Sequence, residues 1–163
     1  MGFGGIDMAR KLSNIRRLTQ KADKLWSQCV RQRDGECVLC HNKNSLQAHH
    51  WILTRNQSSK YRFDLRNGVT LCYGCHIHGV HSNPSVYLLD RLKTICIARK
   101  IASQEDINDI IAKKNELCKR GVGEMENIVT DLSAYLEQGE NNTYGVGFSS
   151  PVLTDPTNTG GEK

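Results

Sequence analysis

The sequence predicts an α+β fold in which a small metal-organised core lies between two helical segments. Three observations lead to it. Two Cys-x-x-Cys pairs, Cys37/Cys40 and Cys72/Cys75, stand 31 residues apart. All six histidines fall between residues 36 and 83. On either side of that stretch, apolar residues recur at spacings of three and four, the mark of a helix with one buried face. A chain of 163 residues suffices for one compact domain with an added segment. Its hydrophobic share of 38 % makes for a thin apolar core, which a bound metal would reinforce.

Residues 1–33 read as a basic helical segment, either one helix or two with a break near Thr19–Ala22. Ile15, Leu18, Ala22, Leu25, Trp26, Cys29 and Val30 share one face, and Asp34-Gly35 ends the pattern as a turn. Residues 34–83 are weakly periodic and rich in loop residues, with short strand-like runs at Ser45–Trp51 and Asn67–Cys72. Residues 84–138 return to helix. Pro84 suits a first helical turn, and Val86, Leu89, Leu92, Ile95 and Cys96 follow a stripe. Ser103-Gln104-Glu105-Asp106 has the form of a capping box that opens a second helix to about Lys119. After Gly121-Val122-Gly123, a third helix is expected over about Glu124–Gln138. The stripes at 86–99 and 125–136 suit packing on the core and a homodimer seam equally. Residues 139–163, rich in Gly, Asn, Thr, Ser and Pro, read as a disordered tail.

No apolar run approaches the roughly 20 residues of a membrane span, and Met1–Met8 lack a basic-then-apolar leader. A cytoplasmic chain is therefore expected. In a reducing compartment, seven cysteines point to metal before disulfides. Cys29, Cys96 and Cys118 sit in apolar helical patterns and read as buried thiols. The net charge of +5 is uneven: residues 1–66 carry 13 Lys/Arg against 5 Asp/Glu, and residues 67–163 carry 9 against 12. A basic half suits a polyanion, of which nucleic acid is the commonest, although a solvated surface would give the same count.

Each Cys pair can grip one zinc ion from a tight turn, and Cys37, Cys40, Cys72 and Cys75 together would close a tetrahedral site. Such a site is structural, because it leaves no open position for water. Between the pairs lie Ala48-His49-His50-Trp51 and Asn67-Gly68-Val69-Thr70-Leu71, and His76 abuts Cys75. Imidazole, with an unperturbed pKa near 6.5, can take a proton from water at neutral pH. A divalent ion would stabilise charge on a phosphate under attack. Either of His49 and His50 could equally be a zinc ligand in a mixed site or a surface residue. Adjacent strand residues point to opposite faces, so both serve one centre only if the backbone bends. Helical or turn geometry could present His76 with His81, or His78 alone; His76 is the first choice and His81 the next, and His41 reads as surface or as a neighbour of the ligands.

This order of two Cys pairs, a double His, an Asn before the second pair and a His after it resembles the His-Asn-His (HNH) endonucleases over residues 34–82. A narrower resemblance, to phage recombination nucleases of the NinG type, is carried by Arg31-Gln32-Arg33-Asp34-Gly35 and by Ser59-Lys60-Tyr61-Arg62-Phe63-Asp64-Leu65-Arg66-Asn67. The resemblance implies a ββα-metal core built on the zinc site, and cleavage of DNA in phage recombination, repair or DNA processing inside a bacterial host. It implies His49 and His76 as ligands of a catalytic ion, with Mg²⁺ or Mn²⁺ expected, and His50 as general base. Asn67 would fix the loop and orient His50. On this reading Arg55, Lys60, Arg62 and Arg66 line the phosphate path. The alternative is a non-catalytic zinc-stabilised module that binds DNA or protein. It gives the histidines and asparagine no purpose.

Overall fold

The computed structural model describes residues 4–141 apart from Ser58 and Leu117. The chain runs through α1 (Gly4–Asp34), β1 (Leu46–His50), a 3₁₀ turn (Leu65–Asn67), β2 (Gly68–Cys72), a π-helix (Gly74–His81), α2 (Val86–Ala98), α3 (Gln104–Ala112) and α4 (Val122–Asn141). Helices thus surround one two-stranded antiparallel sheet, and the fold is α+β. No helix among the described residues is long and apolar enough to cross a membrane.

The first segment is one helix of 31 residues. Nothing breaks it near Thr19–Ala22, because the Thr19 hydroxyl bonds back to the Ile15 carbonyl at 2.8 Å and Ala22 is fully buried. Gly35, at φ +67°, closes the helix by donating its amide to the Arg31 carbonyl. Ala22, Trp26, Cys29 and Val30 pack against Met125, Ile128, Val129, Leu132 and Tyr135 of α4, and against Phe63 and Leu65. Cys29 Sγ meets the Leu132 carbonyl and Gln32 Nε2 meets that of Leu136, so α1 and α4 run parallel. The stripe at 125–136 is therefore covered by the chain's own first helix.

The second cluster gathers Cys37, Val38, Leu39, Val69, Leu71, Leu92, Cys96 and Ile101 around the sheet. In α2 only Leu92 and Cys96 are buried, while Val86, Tyr87 and Leu89 are exposed. That helix starts at Val86 with Ser85 as its cap, so Pro84 lies just ahead of it rather than in its first turn. The capping box at Ser103 and Asp106 is formed, but α3 ends at Ala112 rather than near Lys119. The chain leaves the helix because Cys118 and Arg120 bond to the loop at Ser59 and Lys60. In turn α4 extends beyond Gln138 to Asn141, and residues 142–163 of the expected tail lie outside the described residues.

The strands pair His49 with Val69 and His50 with Gly68. Alternation along β1 divides its side chains between two faces. Ala48 and His50 turn toward α1, while Gln47 and His49 turn toward the π-helix. Gly68 permits this seating. A Cβ there would stand 2.6 Å from Val30 Cγ2 and 2.7 Å from Trp26 Cζ2. Arg33 and Asp34 finish the join. Arg33 donates to the Leu65 and Gly68 carbonyls, and Asp34 accepts from the Thr70 amide at 2.7 Å.

Candidate metal centres and the adjoining histidine

The sulfurs of Cys37, Cys40, Cys72 and Cys75 lie within 4.8 Å of one another, and this cluster could hold a metal ion such as zinc. Cys37 and Cys40 come from a knuckle in which the Cys37 amide donates to Asn42 and the His41 amide to Cys37. His41 adopts φ +62° to complete the turn. Cys72 ends β2 and Cys75 lies in the first turn of the π-helix. The Cys75 backbone amide donates to Cys72 Sγ and lowers that thiol to about 7, which favours the thiolate a metal needs. Cys29 and Cys96 are fully buried and apart from the cluster, and burial pushes each thiol up to about 12. Cys118 is half-buried. His41 lies on the outside of the knuckle, 2.7 Å from Glu36, and offers no ligand to the cluster.

A second group forms where β1 meets the π-helix. His49 Nδ1 stands 3.1 Å from His76 Nε2, which stands 3.0 Å from His81 Nε2. All three nitrogens lie within 4.8 Å of one another. Burial and the neighbouring imidazoles hold His49 down at about 3, and burial with His81 lowers His76. Neutral rings offer lone pairs, and ligands about 2.0–2.1 Å from one ion would be spaced about 3 Å apart. The donor chemistry and the spacing both fit a metal.

The π-helix explains why His81 joins His76. In an α-helix, residues five apart point about 140° from each other. A π-turn bonds i to i+5 and brings such residues to one side, as in the Ser82 amide's bond to the Ile77 carbonyl. His78 falls elsewhere, edge-on to Tyr73 at 5.6 Å between ring centroids. The sequence puts His76 first and His81 next, with His78 alone as the alternative; the π-turn is what brings His76 and His81 to one side.

His50 faces away from this group. Its ring stacks on Trp26 at 4.0 Å with 11° between planes, and its Nε2 donates to the Arg62 carbonyl at 2.8 Å. Nδ1 is therefore the nitrogen with a free lone pair. Burial lowers the His50 pKa, partly opposed by the Arg62 carbonyl. Asn67 is 1 % exposed. Its Oδ1 accepts from the Ile52 and Leu53 amides, and its Nδ2 donates to the Leu53 and Tyr61 carbonyls. It ties both ends of the β1–β2 loop, one residue from the carbonyl that holds His50. Trp26, about six turns into α1, was legible only as one member of an apolar stripe.

The four cations of that loop have acidic partners. Arg62 makes a two-pronged pair with Asp23 at 2.6 and 2.9 Å. Arg66 reaches Asp64 at 2.7 Å and Asp106 at 2.6 Å. Lys60 meets Glu116 at 3.0 Å. Arg55 is 56 % exposed and stands 3.8 Å from Asp23. Trp51 donates its indole N–H to the Arg66 carbonyl, and Tyr61 donates to Asp109, so both are packed into the loop. By contrast Arg10, Lys11, Arg16, Arg17, Lys21 and Lys24 are exposed along α1 and form no ion pair among the described residues. No protein-family model, curated protein or solved structure matches the chain.

Proposed function

We propose that the protein is a metal-dependent DNA endonuclease of the His-Asn-His type. One observation carries the reading: three imidazole nitrogens converge at the end of β1, and the residue next to His49 in the strand is a fourth histidine, held on the other face by a backbone carbonyl and a tryptophan. His49, His76 and His81 would hold one divalent ion, which when bound neutralises charge on the phosphate and the leaving oxygen. The set contains no carboxylate. Imidazole donors favour later first-row ions such as Zn²⁺, Co²⁺ or Ni²⁺ over the oxygen-seeking Mg²⁺, with Mn²⁺ between them. His50 is neutral at pH 7, and its Nδ1 accepts the proton of the attacking water while Nε2–H stays on the Arg62 carbonyl. Trp26 keeps the ring from turning, and Asn67 fixes the loop that supplies the carbonyl. The cysteine cluster would hold a structural zinc and fix the start of the π-helix next to His76.

Arg55 and the exposed cations of α1 supply the positive surface for a DNA backbone, since Lys60, Arg62 and Arg66 are neutralised within the fold. The NinG-type resemblance directs the search for substrates toward branched recombination intermediates as well as plain duplex. The competing reading, a zinc-stabilised binding module, draws on the cysteine cluster alone. Plasmid nicking separates the two. Wild-type protein should convert supercoiled DNA to nicked or linear forms only with added divalent ion. His50→Ala should lose cleavage but, on the zinc-loaded protein without further added divalent ion, bind DNA as tightly as wild type. Undiminished cleavage by His50→Ala, or silence of wild type on plasmid and branched DNA alike, would overturn the proposal.

A further inference from the structure

We infer that Gln47 is the positioning residue of the histidine centre: it holds His76 as the Nδ1–H tautomer and thereby commits Nε2 to the ion. The inference rests on reading His49, His76 and His81 as one metal site. Gln47 precedes His49 by two residues on β1, so both side chains leave the same face of the strand. Its Oε1 lies 2.6 Å from His76 Nδ1. An amide oxygen only accepts, so the imidazole proton belongs on Nδ1. Nε2 then carries the lone pair, and it is this nitrogen that faces His49 and His81 at 3.1 and 3.0 Å. The opposite tautomer would aim a hydrogen at both neighbours and close the site.

Gln47 acts alone in this role. Among the described residues, neither His49 nor His81 makes a side-chain hydrogen bond through its other ring nitrogen. His76 is also the middle ligand, within 3.1 Å of both others, so an error in its ring orientation disturbs both contacts at once. Partners of this kind fix the ligand's tautomer and ring plane, and their loss typically weakens metal binding by about 10–100-fold. One short strand thus supplies a ligand and, two residues earlier, the group that orients another ligand.

The test is a calorimetric titration of Co²⁺ into protein already carrying one equivalent of zinc, without DNA. Wild type should take up one further ion, and His49→Ala should not. Gln47→Ala should bind that ion about 10–100-fold more weakly while the zinc-only protein keeps its melting temperature. Gln47→Glu retains an acceptor at the same reach and should bind at least as tightly as wild type, because a charged acceptor makes the stronger bond. That rescue is what a merely space-filling role would not give. Wild-type affinity in Gln47→Ala, or equal loss in both variants, overturns the inference and leaves the centre standing. Failure of wild type itself to bind a second ion overturns the centre and the inference together.

Discussion

Asn67 spends its whole side-chain hydrogen-bonding capacity on the loop ahead of it, with two bonds accepted and two donated. Asn67→Ala would remove the partner of the Ile52 and Leu53 amides and of the Leu53 carbonyl in a buried place, while the Tyr61 carbonyl would keep the Asp64 amide. Urea unfolding should show a loss of about 2–4 kcal/mol, and cleavage should fall beyond what the unfolded fraction explains. A loss under about 0.5 kcal/mol, the size of an ordinary surface change, would contradict this role. The spacing of Cys37, Cys40, Cys72 and Cys75 and the place of Asn67 were visible in the sequence, because turn-forming pairs and a loop-closing amide act near their own positions. Gln47 and Trp26 were not visible as site residues. Their roles depend on which strand face meets which helix, and neither residue type announces metal chemistry.

The hairpin holds its place through a close approach that only glycine allows. Gly68→Ala would drive a methyl into Val30 and Trp26, the tryptophan on which His50 stacks. Overpacking of this kind costs about 1–3 kcal/mol, and the strain should appear as shifted resonances of both His50 and Trp26. If those resonances stay in place, the sheet and α1 are less tightly coupled than the distances imply. The loop is joined to α3 by Arg66 and Asp106. Burial pushes the Asp106 carboxyl up, but Ser103 and the Arg66 guanidinium outweigh it, and the folded value lies below the ordinary 3.8. A depressed carboxylate contributes stability above its unfolded value and loses it as pH falls through the folded value. The destabilisation by Asp106→Asn, measured by denaturant titration, should therefore be largest near neutral pH and shrink once the pH drops below 3.8. A penalty that stays constant across that range would place the stabilisation elsewhere. The π-helix, too, lay beyond sequence reading. Eight residues are too few for periodicity to tell a turn of i to i+4 from one of i to i+5, and that difference selects His81.

Two kinds of cohesion divide the molecule. The α1–α4 pair is held by apolar packing, with Ala22, Trp26, Cys29 and Leu132 among its buried members. Around the sheet, a smaller apolar cluster adjoins the cysteine group, so a bound metal would carry more of the stability there. Stripping metal with a strong chelator should abolish amide protection over residues 37–81 while α1 and α4 keep most of their helical circular dichroism. Simultaneous loss of both would show one cooperative unit. The overall α+β arrangement was legible from the Cys pairs and flanking stripes. The use of the cations was not: a charge count cannot see that Asp23, Asp64, Asp106 and Glu116, up to 56 residues away in the chain, neutralise the loop.

The most direct measurement is DNA cleavage followed as metal is returned stepwise to fully stripped protein. The first equivalent, taken by the four thiolates, should restore the fold without activity. Cutting should begin only with the second equivalent, be strongest with transition ions, and be absent in His49→Ala and His81→Ala while His78→Ala cuts normally. Full activity at one equivalent, or none on plasmid and branched DNA when both sites are filled, would contradict a histidine-held catalytic ion.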